Sequence, residues 1–134
     1  MRTPLLLACS ATMLAACNDK NEAAEDKLER AAETSATVAG PLPAALGLTE
    51  AQLLDADLVG ADGKDLGDVE QVLRDPDNKV DRLLVELDGV GPDRYVHVPI
   101  TGLKAVVNGN DTDLATPLTK ADLAALPEVK LPAP

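Results

Sequence analysis

The chain has 134 residues, no Phe or Trp and a single Tyr, and it carries 23 acidic against 12 basic residues, for a formal net charge of −11. That length holds one domain with room for a tail. The composition argues against nucleic-acid binding, with no basic face to release counterions from phosphates and no aromatic set on which bases could stack. Charge attraction to anionic lipid headgroups is disfavoured on the same ground, and one His with two Cys is a poor basis for haem or iron–sulfur ligation.

At the amino end, Arg2 supplies a positive n-region ahead of an apolar run from Pro4 to Ala16. A spanning helix needs roughly 20 residues, so this run is too short to cross a membrane and fits a signal-peptide h-region. The run ends Leu14-Ala15-Ala16-Cys17. This resembles the lipobox of bacterial lipoproteins, in which small side chains fit the peptidase and the cysteine thiol is linked to diacylglycerol before cleavage and acylation of the new amine. The other reading is an ordinary secretory signal cut after Ala16, which leaves a free thiol at Cys17. With Cys9 lost in the signal and Cys17 carrying lipid, residues 17–134 hold no free thiol and no disulfide. The expected location is the bacterial cell envelope, facing the periplasm, anchored in the inner or outer membrane. Asn18 and Asp19 resemble inner-membrane retention signals of some lineages. No cofactor is expected beyond the covalent acyl lipid on Cys17.

Residues 18–39 hold six acids, three bases and many Ala, with Leu28 and Val38 the sizeable aliphatics. Such a stretch offers little apolar surface against its ordering entropy, so a solvated, weakly helical or disordered tether is expected, with Asp26 and Arg30 spaced for an i,i+4 pair. No heptad supports a coiled coil. Gly40-Pro41-Leu42-Pro43 breaks any helix, and Thr49-x-x-Gln52 reads as a capping box for one short turn through about Leu54.

From Asp55 the pattern becomes strands. Asp55 to Val59 leads into the turn Gly60-Ala61-Asp62-Gly63. Leu66 to Leu73 alternates imperfectly, which signals a bulge. Asp75-Pro76-Asp77-Asn78 is a turn. Val80 to Leu87 places Leu83, Val85 and Leu87 on one face. Gly89-Val90-Gly91-Pro92 turns again, and Arg94 to Ile100 sets Val96 and Val98 opposite Tyr95 and His97, with Pro99 ending the strand or marking an edge. Leu103 to Val107 and Leu114-Ala115 are shorter strands around Asn108-Gly109-Asn110. Thr119-x-x-Asp122 caps a helix from Lys120 to Leu126, stopped by Pro127. Five or six short strands with hairpin turns predict a mainly β fold, a small antiparallel barrel with a closing C-terminal helix. The expected core is Leu58, Val59, Leu66, Val69, Leu73, Val80, Leu83, Val85, Leu87, Val96, Val98, Ile100, Leu103, Val106, Leu123 and Leu126. Gly63 answers a turn that wants positive φ, and Gly67 a strand with close backbone approach.

The stretch Val59-Gly60-Ala61-Asp62-Gly63-Lys64-Asp65-Leu66-Gly67-Asp68-Val69-Glu70-Gln71-Val72-Leu73-Arg74-Asp75 resembles the opening hairpin motif of the PRC-barrel family. Val80 to Leu87, Val96-His97-Val98-Pro99 before Leu103, and Thr119 to Pro127 follow in the family's order. Asp62, Gly63, Gly67, Val69, Asp75 and Pro99 are the motif positions. Asp55-Ala56-Asp57 stands where many members have a glycine, which bears on the first strand's register. The resulting division is a signal at 1–16, the lipidated Cys17 and tether at 17–54, a PRC-barrel-like domain at 55–129 and a tail at 130–134. The resemblance implies a module for protein–protein contact rather than an enzyme. Members include a domain of the photosynthetic reaction-centre H subunit and one of a ribosome maturation factor. A ribosomal partner does not suit a chain with an export signal and this charge, and the membrane-spanning helix of the H subunit has no counterpart here.

The residues themselves offer little for catalysis. His97 is the one side chain tuned near neutral pH, read as an exposed strand residue, and Ser35, the one Ser beyond the signal, lies in the tether. The expectation is no enzyme. Cation or small-ligand binding through acidic turns is the rival function: Asp75, Asp77, Asn78 and Asp81 cluster across one turn, and Asn108, Asn110, Asp111 and Asp113 across another. Calcium takes six to eight oxygens, although neither cluster has EF-hand spacing and Asp and Asn are the usual turn formers. Asp55 to Pro127 holds 15 acids and 7 bases, so an envelope protein partner would present a basic or neutral surface. Homodimerisation through a strand edge such as Arg94 to Val98 stays open.

Overall fold

The computed structural model describes residues 19–89 and 93–131. The signal segment and Cys17 therefore lie outside the described residues, as does most of the 89–92 turn. Among the described residues, no helix is long and apolar enough to cross a membrane.

The chain opens with α1 (Asp19–Ala39), followed by β1 (Pro43–Ala45), β2 (Leu48–Thr49), α2 (Glu50–Leu54) and β3 (Asp57–Val59). The long strands β4 (Asp65–Arg74), β5 (Val80–Leu87) and β6 (Arg94–Pro99) come next, then β7 (Lys104–Asn108), β8 (Asp111–Ala115), α3 (Lys120–Ala124) and β9 (Glu128–Val129). Strands β1 and β2 form a small hairpin, and the remaining seven make one sheet in the order β7-β8-β3-β4-β5-β6-β9. The expected mainly β fold with its late helix is present. Two features differ from the expected antiparallel barrel. β3 pairs parallel to β8 (Leu58↔Leu114), because β8 returns to the open edge of β3 after the whole meander has been laid down. Among the described residues no pairing joins β7 to β9, so the ladder has two ends.

The turns follow their chemistry. Gly63 sits at φ +79°, and its amide donates to the Gly60 carbonyl at 2.9 Å. In the next turn Asn78 takes φ +63°, and the Asp75 carboxylate accepts from the amides of Asp77 (2.9 Å) and Lys79 (3.0 Å). The imperfect alternation of β4 is a register shift between Val69 and Gln71 against β5, the bulge expected there. At Gly67 a Cβ would lie 2.2 Å from the Glu86 carbonyl oxygen, the close approach anticipated for that position. Both capping boxes form, at Thr49/Gln52 and Thr119/Asp122. α3 ends at Ala124, short of the expected Leu126, and Pro99 closes β6 as an exposed residue.

One side of the sheet wraps the main core, where Leu58, Leu83, Val85, Val96, Leu114 and Leu123 are fully buried. Val106 proves 37% exposed and leaves the core. In its place Leu48, Leu53, Ala56, Val72 and Leu114 enter. Leu48 and Leu53 come from the stretch assigned to a tether, so the folded unit does not begin at Asp55: α2 and the β1–β2 hairpin belong to it.

The larger correction concerns α1. The expected solvated spacer is a continuous helix of 21 residues, about 31 Å at 1.5 Å per residue, laid on the outer face of the sheet. Ala24, Leu28 and Ala32, spaced i, i+4, i+8, are buried, and Leu28 packs with Leu84 and Tyr95. Counting the helix's own aliphatics underestimated it. The sheet supplies the rest of the apolar surface, and small alanines let the helix lie close. Burying each of Leu28, Leu84 and Tyr95 stabilises by about 1.5–3 kcal/mol. The Asp26–Arg30 pair is not formed; the ion pairs among the described residues are Arg74–Glu50, Arg82–Asp81 and Arg94–Glu128.

Candidate functional site

The features that exceed simple barrel packing gather where α1 crosses the sheet. At its amino-terminal half, Glu25 accepts a hydrogen bond from the Tyr95 hydroxyl at 3.0 Å. Tyr95 faces away from Val96 and Val98 as its strand position dictates, and α1 buries it. On that same face the sheet presents Asp68 and Glu70 from β4 and Glu86 from β5, with Glu86 directly opposite Tyr95. Helix and sheet therefore meet acid to acid. Burial first, then the charges of Glu86 and Glu29, push the Glu70 carboxyl up to about 7. Burial likewise raises Glu86, reinforced by Asp93 and Glu25. The Tyr95 phenol is raised by burial and by its bond to Glu25.

At the carboxy-terminal half a second tie holds α1. The Ser35 hydroxyl donates to Glu50. Glu50, 1% exposed, receives Arg74 at 2.8 Å from β4, and Arg74 also donates to the Asn78 carbonyl at 3.2 Å. A buried carboxylate needs such partners, and this one joins α1, α2 and β4. Beside it opens a cleft of about 540 Å³ bordered by Val38, Leu42, Glu50 and Arg74. Sequence reasoning missed this network. The one signal was Ser35 alone among the helix's alanines, and its partner lies 15 residues on.

Between the two ties, α1 and the last described residues enclose a narrower cleft of about 230 Å³, walled by Leu28, Leu84, Val129 and Leu131. His97 opens into it and is half-buried rather than exposed, because α1 and β9 cover its strand. Burial, and then Arg82, hold its imidazole below the usual range. The strand from Arg94 to Val98, offered as a dimer edge, is interior: β9 pairs with it at Tyr95 and Val96. The guanidinium of Arg94 is spent on the Ala124 and Leu126 carbonyls, 3.0 and 2.9 Å away. Among the described residues β7 is one end of the sheet, and its five residues are all exposed.

The motif positions Asp62, Gly63, Gly67, Val69, Asp75 and Pro99 serve the fold. The Asp62 carboxylate accepts from the Lys64 amide at 3.1 Å, and Val69 is buried in the core. The two acidic turns are not drawn together as a cation site. Asp75 is occupied by backbone amides, Asp81 pairs with Arg82 at 2.7 Å, and Asp113 accepts from the Asn108 side-chain Nδ2 at 2.7 Å. Asp77 and Asp111 are exposed on their own turns. Among the described residues no three His, Cys, Asp or Glu side chains are grouped to hold a metal ion.

A seven-stranded sheet, a meander extended by one parallel pairing and accompanied by a short helix whose Leu123 enters the core, defines a small β module. The model of the PRC-barrel domain matches residues 50–121, and the chain belongs to that family. The match begins at Glu50, in keeping with the buried place of α2. No curated protein matches the chain.

Proposed function

We propose that the chain is a membrane-anchored lipoprotein of the cell envelope whose PRC-barrel domain is a non-catalytic protein-interaction or scaffolding module. The carrying observation is β7: an end strand with every residue exposed, Val107 at 70%, and backbone groups free to accept a partner strand. Edges of this kind pair with other chains unless charge, proline or cover blunts them, and in β7 one lysine, Lys104, does so. A partner that adds a strand here gains main-chain hydrogen bonds, with its specificity set by contacts to Val106 and Val107. The chain's acidity favours a partner with a basic or neutral surface. The lipobox-like ending at Cys17 supplies the anchor, and several acyl chains hold stably, since each buried methylene contributes about 0.8 kcal/mol.

The surroundings of Ser35 and His97 support a non-catalytic role. Ser35 donates to a carboxylate already paired with Arg74, and His97 opens into a mainly aliphatic cleft. The test places a photo-crosslinker at Val107 in the acylated protein within envelope membranes. The expected result is one reproducible protein adduct, absent when the crosslinker is moved to Glu33 on the exposed face of α1. Equal labelling from both positions, or none from Val107, would overturn the reading.

A further inference from the structure

We propose that the cleft between α1 and the 129–131 segment is a binding site for a medium-chain fatty-acid carboxylate, an apolar tail of about eight carbons ending in an anion. The inference stands apart from the reading of β7 and of the lipid anchor.

Two observations carry it. The first is the shape and lining of the cleft. Its walls are aliphatic, from Leu28, Leu84, Val129 and Leu131, and its volume is about 230 Å³. At roughly 30 Å³ for each water-sized group, that accommodates a chain of about seven or eight carbons. The second is the charge of the rim. The chain has 23 acidic residues, yet the cleft is lined by none. Its ionisable lining residues are Lys27, Lys130 and His97. Among the described residues neither lysine forms an ion pair, and both are exposed. In a strongly acidic molecule, an apolar slot with a cationic rim selects a ligand that is apolar at one end and negative at the other. Pockets of this kind take their affinity from the apolar walls and their orientation from a few polar groups. Here Lys27 and Lys130 would take the carboxylate by charge, leaving the tail among Leu28, Leu84, Val129 and Leu131. A cationic amphiphile of the same length would find the walls but meet the wrong charge.

The site joins α1 on one side to β5 and β9 on the other. A bound chain would therefore hold the helix to the sheet, and helix docking would rise with ligand by mass action.

Titration calorimetry on the chain from Asn18 onward, which contains every described element, tests this with octanoate and octyltrimethylammonium below their micellar concentrations. The expected result is saturable octanoate binding with one site and at least tenfold weaker binding of the cation. The double reversal Lys27→Glu/Lys130→Glu is expected to weaken octanoate about tenfold, two exposed charge contacts being lost and inverted. Ala31→Phe, at an exposed lining position, is expected to block binding by filling the cleft while the helical circular dichroism stays unchanged. No octanoate binding, equal binding of both amphiphiles, or octanoate binding indifferent to both variants would overturn the proposal.

Discussion

Gly67 shows how one residue fixes the geometry on which the rest is hung. Its missing side chain lets β4 and β5 approach until a Cβ would stand 2.2 Å from the Glu86 carbonyl oxygen and 3.0 Å from Val85. Gly67→Ala therefore forces the two strands apart at the centre of the sheet. Overpacking of this kind is expected to cost about 2–4 kcal/mol, read as a lowered urea midpoint with an unchanged slope. A variant as stable as the parent would contradict the close approach. Gly67 was legible in the sequence because a glycine inside a strand pattern has few other uses, and Gly63 because an Asp-Gly turn asks for positive φ. Glu50 was not legible. Its role depends on Ser35 and Arg74, 15 and 24 positions away, and local patterning does not register an acid that is buried by long-range partners.

At the scale of elements, strands and caps could be read and the docking of α1 could not. Alternation and turn residues set β4, β5 and β6 because their information is local. α1 has one large aliphatic on its buried stripe, and the surface that completes it sits on β5 and β6, so a helix-only accounting gave a spacer. The acid-on-acid contact makes this docking pH-dependent. Glu25 and Glu29 from α1, Asp68 and Glu70 from β4, Glu86 from β5 and the Tyr95 hydroxyl from β6 share the interface. Glu70 is raised to about 7 in the fold, above its ordinary value near 4.5. The folded, docked state therefore binds the proton more tightly than the unfolded chain. The penalty of ionising Glu70 is complete above pH about 7 and is relieved as pH falls toward about 4.5. After allowance for solvent screening of this partly exposed group, docking should strengthen by about 1 kcal/mol across that window. Tyr95 is the one aromatic residue, so its emission and the hydrogen-exchange protection of α1 report docking directly. Protection should rise on acidification, and Glu70→Gln should raise it at pH about 7.5 and flatten the dependence. A parent whose α1 protection falls over the same window would contradict this account.

At the scale of the molecule, the docked helix changes what an anchor at Cys17 means. α1 begins at Asp19, two residues beyond that cysteine. An acylated Cys17 would therefore hold the PRC-barrel domain at the membrane surface rather than on a long leash, with β7, the opposite end of the sheet order from β9, as the edge free for a partner. The absence of Phe and Trp acquires a positive sense as well: a core of Leu and Val fills the sheet, and the single Tyr is placed at the helix contact. The barrel class was readable because its motifs occur in order along the chain, whereas the domain's start near Glu50 and the β9 pairing depend on contacts that only folding makes. The anchor is tested most directly by mass spectrometry of the amino-terminal peptide of the mature protein from envelope membranes. The expected peptide begins at Cys17 and carries diacylglycerol on its thiol; a peptide beginning at an unmodified Cys17, or a chain retaining residues 1–16, would rule out the anchor.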